Sequence, residues 1–267
     1  MDGFDRRERR RRYQRQQQLK KYGILVGIFL GIILAIGGVS FLGVKLFQRL
    51  TAQEGHKTQS KIEERPEKEP QDSEVNVAKD TAKGVLVMID PGHGERVPGC
   101  VIDDVMEKDI TLAVSLKLRD VLQAAGATVK MTREDDSFYP RLKERGKMAN
   151  DAHADYFISI HCNSYTEDSS IRGFESYFYG EDGKKLSKAM VKAAKAAGIP
   201  APDSKYGNFQ VLRDTKMPSV LVEIGYMTNP EELQDMCDED YQQKLAEAIA
   251  RGLVMNLRGS YEKRKSN

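Results

Sequence analysis

Three short apolar runs each stop on a polar residue, and this pattern limits the possible folds of the chain more than any other feature. Residues 85–89 run into Asp90, Pro91, Gly92 and His93, residues 156–160 end at His161, and Val220, Leu221 and Val222 end at Glu223. Apolar runs this short, bounded by turn residues, are expected to be buried strands. Helical periodicity separates them. Ile110, Val114, Leu118 and Leu122 line one face of a helix expected over 107–125, which Gly126 closes. Further helices are expected over 141–152 and 184–197, further strands over 127–132 and 174–179, and Leu245, Ile249, Leu253 and Leu257 stripe a last helix. The alternation predicts a single α/β domain with a central, largely parallel twisted sheet flanked by helices. Ligands of open α/β sheets bind beyond the carboxyl ends of the strands. In parallel neighbouring strands, Asp90 to His93, His161 and Glu223 would meet in one cleft.

The domain is expected over residues 84–259, with a polar tail over 260–267. With 40% hydrophobic and 31% charged residues, the composition is globular and excludes a collagen-like, fully disordered or multi-span chain. Residues 23–44 carry no charge. At about 1.5 Å per residue they cross the roughly 30 Å hydrocarbon core, and the run is longer than the apolar part of a cleaved secretory signal. Arg6, Arg7, Arg9 to Arg12, Arg15, Lys20 and Lys21 precede it, whereas only Lys45 and Arg49 follow closely. The positive-inside rule then makes residues 1–22 a basic cytoplasmic tail and 23–44 a transmembrane signal anchor, with the domain on the extracytoplasmic, cell-wall side. Residues 45–83 are charged and lack apolar periodicity, as expected of a flexible linker, and His56 lies in it. The net charge of +2 is concentrated before the anchor, so the body is net acidic and no nucleic-acid partner is expected. Cys100, Cys162 and Cys237 form neither a disulfide framework nor a CxxC motif.

Two histidines and a carboxylate at strand ends suit a catalytic zinc site, because zinc takes imidazole nitrogen and carboxylate oxygen and a catalytic site keeps one position open. His93, Glu107 and His161 are the candidate ligands. Glu107 opens its helix, where the helix dipole favours a carboxylate. Each residue alone has a plainer reading as a turn, a strand terminus or a helix start. Glu223 is a carboxylate inside an apolar strand, a costly position unless it points into a site or pairs with Arg133 or Arg145. Beside a metal it is the candidate proton shuttle.

These residues sit in a longer pattern: Asp90-Pro-Gly-His93-Gly, Met106-Glu107-Lys108-Asp109, Thr132-Arg133, Arg145 with Ala149-Asn150, Ser159-Ile-His161-Cys-Asn163-Ser164, Val211-Leu-Arg213, and Met217-Pro-Ser219 through Glu223 to Asn229. In order and spacing the pattern resembles the zinc-dependent N-acetylmuramoyl-L-alanine amidases, bacterial cell-wall hydrolases. The resemblance implies Zn2+ as cofactor, His93, Glu107 and His161 as its ligands, Glu223 as the catalytic residue, and Asn163 and Arg213 as substrate-binding residues. It implies peptidoglycan as substrate, cut between the lactyl group of N-acetylmuramic acid and L-alanine. The alternatives are a zinc peptidase cutting within the stem peptide and a non-catalytic wall-binding protein. Two positions depart from the pattern: Glu95 stands where a glycine is usual, and Cys162 where a small residue is usual. The interval between His161 and Glu223 is too short for the built-in blocking helix of some relatives, so none is expected.

Overall fold

The structure is a computed structural model that describes residues 77–265. The expected cytoplasmic tail, the anchor over 23–44 and most of the linker lie outside the described residues. Among the described residues no helix is long and apolar enough to cross a membrane. In chain order the elements are β1 (Leu86–Pro91), β2 (Val101–Ile102), β3 (Val105–Met106), α1 (Glu107–Ala124), β4 (Thr128–Met131), α2 (Leu142–Asp151) and β5 (Tyr156–Asn163). There follow β6 (Glu175–Phe178), α3 (Glu181–Ala196), β7 (Lys205–Tyr206), α4 (Gln210–Arg213), β8 (Ser219–Tyr226), α5 (Pro230–Cys237) and α6 (Glu239–Lys265).

Six strands form one sheet in the order β4-β1-β5-β8-β6-β7. The pairs β1–β4, β1–β5, β5–β8 and β6–β7 are parallel, and β6 runs antiparallel to β8. The sheet is therefore largely parallel, as expected, and the three polar strand ends are neighbours. The antiparallel β6 was not legible, since strand direction depends on how α3 and the 164–174 loop return the chain.

Side chains alternate across a strand, so each strand splits its residues between two faces. Val87, Ile89, Ile158, Ile160, Cys162, Val220 and Val222 enter the larger core, with Leu118 and Leu122 of α1, Leu186 and Met190 of α3 and Leu253 of α6. Met88, Phe157 and Leu221 face the smaller core with Ala149 of α2 and Val211 and Leu212 of α4. By the same alternation Asp90, Ser159, His161 and Glu223 belong to the smaller-core face. Cys162 is thus a buried thiol on the sheet face opposite to His161 and Glu223, free of any disulfide.

Two boundaries and one helix differ from expectation. Ala82, within the expected linker, is fully buried and its N–H donates to the Ala125 carbonyl, so the domain starts before residue 84. Helix α6 continues to Lys265, into the expected polar tail. Helix α5 was missed although its start is written out: Asn229 caps it, accepting from the N–H groups of Glu231 and Glu232, with Pro230 in the first turn.

Gly252 is where α6 meets α3. A Cβ there would lie 2.8 Å from the Met190 Cα and 2.6 Å from its Sδ. Alanine is about 1 kcal/mol better than glycine inside a helix, but here the clash with α3 backbone outweighs that gain. Gly252→Ala is expected to lower stability by about 1–3 kcal/mol, read as a drop in melting temperature.

Candidate metal centre

The turn after β1 is bound from below before it presents anything to the cleft. Asp90 is fully buried and accepts from Thr132 Oγ1 at 2.6 Å, Ser159 Oγ at 2.7 Å and Arg145 Nη1 at 2.8 Å. Arg145 also donates to the carbonyls of Pro91 and His93, each at 2.8 Å. Arg133 Nη2 donates to the Gly92 carbonyl at 2.9 Å and to that of Lys108 at 2.7 Å, and Thr111 Oγ1 donates to Gly92 as well. Both arginines are therefore committed to the β1 turn and to Asp90, which removes the reading of Glu223 as their partner.

The clamp holds His93 at a φ of +61°, a left-handed conformation that non-glycine residues adopt at a cost. Glu95 follows at +47°. It occupies the position where a glycine is usual, and the backbone there has the conformation glycine adopts freely. Its N–H donates to Asp136 Oδ1 at 2.7 Å, its carbonyl accepts from Lys108 Nζ at 3.0 Å, and Lys108 also pairs with Asp136.

Three donors converge above this turn. His93 Nε2 lies 3.0 Å from Glu107 Oε2, and His161 Nδ1 lies 3.0 Å from Glu107 Oε1. All three ligand atoms fall within 4.8 Å of one another. Tetrahedral ligands around zinc stand about 3.3 Å apart at bond lengths of about 2.0–2.1 Å, so the spacing fits. The backbone N–H groups of Cys100 and Cys162 donate one to each oxygen of Glu107. Although burial opposes its charge, hydrogen bonds to His161 and His93 hold the Glu107 carboxyl far below the usual range. Burial also disfavours a charged His161, but the hydrogen bond to Glu107 and the charges of Glu223, Glu107 and Asp90 raise its pKa. Two glycines make room for the group. A Cβ on Gly92 would meet the His161 ring at 2.5 Å, and one on Gly99 would meet Glu107 Oε2 at 2.4 Å.

Glu223 pairs in register with His161 on one side and with Glu175 on the other. Its Oε2 is buried without a hydrogen-bond partner among the described residues. Burial, reinforced by the charges of Glu107 and Glu175 against that of His161, pushes its pKa up to about 7.

The profile of the N-acetylmuramoyl-L-alanine amidases matches residues 87–255. The chain belongs to this family. Among solved amidases, the catalytic domain of CwlV from Paenibacillus polymyxa is 39% identical with a TM-score of 0.62, covering 65% of this chain and 98% of that one. AmiC2 of Nostoc punctiforme is 34% identical with a TM-score of 0.63, covering 66% of this chain and 99% of that one. The amidase LytC of Bacillus subtilis is 34% identical over 188 residues, which are 68% of this chain but only 38% of LytC.

In this amidase domain the interval between β5 and β8 holds β6, α3, β7 and the four-residue α4. Of the two expected substrate-binding residues, Asn163 reaches Glu175 through Nδ2 at 3.4 Å. Arg213 instead donates to the carbonyl and side chain of Asn208, on the loop before α4. Sequence reasoning missed Glu175 altogether. It is buried and takes hydrogen bonds from Tyr177 at 2.5 Å and Tyr226 at 3.0 Å, and it pairs with Lys205. Its signal was a lone acid opening a strand, which became legible only when β6 proved to be the neighbour of β8.

A carboxyl whose pKa is raised on folding costs stability above its unfolded pKa, reaching the full cost once pH exceeds the folded value. For Glu223 that window runs from about 4.5 to about 7. In metal-free protein, Glu223→Gln is expected to raise stability at pH 8 by about 1–3 kcal/mol and to change it little at pH 4. Denaturant melts at the two pH values check the sign.

Proposed function

We propose that the domain cleaves the amide between the lactyl group of N-acetylmuramic acid and the L-alanine of the peptidoglycan stem peptide, with zinc held by His93, Glu107 and His161. The observation that carries this reading is the buried, unpartnered Oε2 of Glu223, in register beside His161. Zinc in this site supplies a Lewis acid for the carbonyl and lowers the pKa of a bound water.

The rest belongs to the chain. Glu107 keeps its charge and would hold the ion together with the two imidazole nitrogens that face its oxygens. Glu223, whose buried Oε2 has no hydrogen-bond partner among the described residues, takes a proton from the attacking water and passes it to the departing alanine nitrogen. The Arg133 and Arg145 clamp keeps His93 from relaxing out of its strained backbone conformation. The bond of Asn163 to Glu175, the register partner of Glu223, supports a substrate contact for Asn163, while Arg213 is engaged with Asn208 on the loop before α4.

We expect isolated peptidoglycan digested by the chain to release intact stem peptides beginning with alanine, with zinc and not with chelator, as read by mass spectrometry. Glu223→Gln should retain zinc and lose at least a hundredfold in turnover, the size of a lost acid–base step. His161→Ala should lose the metal itself, measured by elemental analysis. Peptides cut internally and still attached to muramic acid would establish a peptidase instead.

The uncharged run over 23–44 and the basic residues before it support a single-pass anchor that leaves the domain on the wall side of the membrane. Protease added to intact spheroplasts should remove the domain and spare residues 1–22; a fully protected chain would refute that topology. CwlD of Clostridioides difficile, 33% identical with a TM-score of 0.62, has been solved in complex with the lipoprotein GerS. For this chain the short β5–β8 interval supports activity of the purified protein without a partner.

A further inference from the structure

The wall of the cleft opposite the metal ligands is built around Glu175, which the hydrolytic reaction leaves unused. Four groups converge on this buried carboxylate: the hydroxyls of Tyr177 and Tyr226, the Asn163 amide and the Lys205 ammonium. Burial alone would raise its pKa, but the bonds from Lys205, Tyr177 and Tyr226 lower it, so it is a fixed negative charge across from Glu223. Its cationic partner is not buried with it. The Lys205 side chain on edge strand β7 is 43% exposed, so its ammonium keeps protons for a second acceptor.

We propose that Lys205, pinned by Glu175, receives a carboxylate of the stem peptide and so sets which stem peptides this amidase accepts. This rests on the cleavage reaction proposed above. An anionic peptide approaching Glu223 and Glu175 is repelled unless a cation meets it. Arg133 and Arg145 do not serve, because both are buried and occupied by the β1 turn and Asp90. Lys205 is the cation joined directly to the Glu175 wall. A lysine held beforehand loses little further side-chain freedom when a ligand binds. The Tyr177 ring, 5.9 Å from the ammonium and itself packed on Phe209, restricts Lys205 further.

The reach is right. Lys205 stands two strands from Glu223 and, being paired with Tyr177, two residues along them, about 12 Å between backbones, and its ammonium folds back to Glu175, which pairs directly with Glu223. Two stem residues beyond the scissile amide extend about 7 Å, which places the carboxylate of the second residue at this ammonium.

The test uses the purified full-length chain and a pair of muropeptides whose second stem residue carries either a free α-carboxylate or the corresponding carboxamide. Lys205→Ala is expected to raise KM about tenfold for the carboxylate, the loss of one charged contact, with kcat within twofold. It should leave the carboxamide unchanged, and Lys205→Arg should restore most of the lost affinity. Equal effects on both muropeptides, or no effect on either, overturn the assignment and leave Lys205 as a neutraliser of Glu175. A wild-type chain that leaves the lactyl–alanine bond intact in both overturns the cleavage reading itself, and the assignment with it.

Discussion

The buried contact between Asp90 and Arg145 is the interaction on which the site depends. Removing one partner from a buried ion pair is expensive, because the survivor keeps a charge it cannot solvate. Here the pair is fully satisfied, with Thr132 and Ser159 completing Asp90 and the Pro91 and His93 carbonyls completing Arg145. One guanidinium therefore joins the floor of the sheet to the backbone that carries a metal-ligand candidate. The strained φ of His93 persists because Arg145 and Arg133 bind the carbonyls around it. A softer turn would let the imidazole drift, and the facing His161 and Glu107 would then lose their third partner.

Three carboxylates share this cleft, and their surroundings separate their chemistry. Glu107 touches two imidazoles and two backbone N–H groups and is held ionised. Glu175 is equally buried but has two tyrosines and a lysine, and it too is held ionised. Glu223 lies between them with one oxygen unpartnered, so it is the acid whose proton is poised near neutral pH. Identical functional groups acquire different proton affinities through the donors each is given.

Much of this was legible in the chain. Short apolar runs and helical stripes gave the α/β class because burial on both faces leaves a continuous hydrophobic signal in parallel strands. His93, His161 and Glu223 stood out because each is a polar residue where an apolar strand ends. Helix α5 was equally legible in Asn229-Pro230-Glu231 and was overlooked. What was hidden depended on neighbours: a boundary such as Ala82 reads as linker until Ala125 is known to lie against it. Glu175 is an ordinary acid until β6 pairs with β8.

By itself the sequence determined which residues end strands, which stripes face a core, and which positions combine into a candidate metal site with a carboxylate beside it. Those are properties of local periodicity and residue chemistry, carried by spacing along the chain. Tertiary structure alone decided that Arg133 and Arg145 serve the β1 turn and leave Glu223 free, that Cys162 turns into the large core, and that Glu175 and Lys205 form a wall beside Glu223. Each of those depends on which strand lies next to which and which face a residue takes. Strand order and direction are settled by how helices and loops return the chain through space, and no local pattern encodes them.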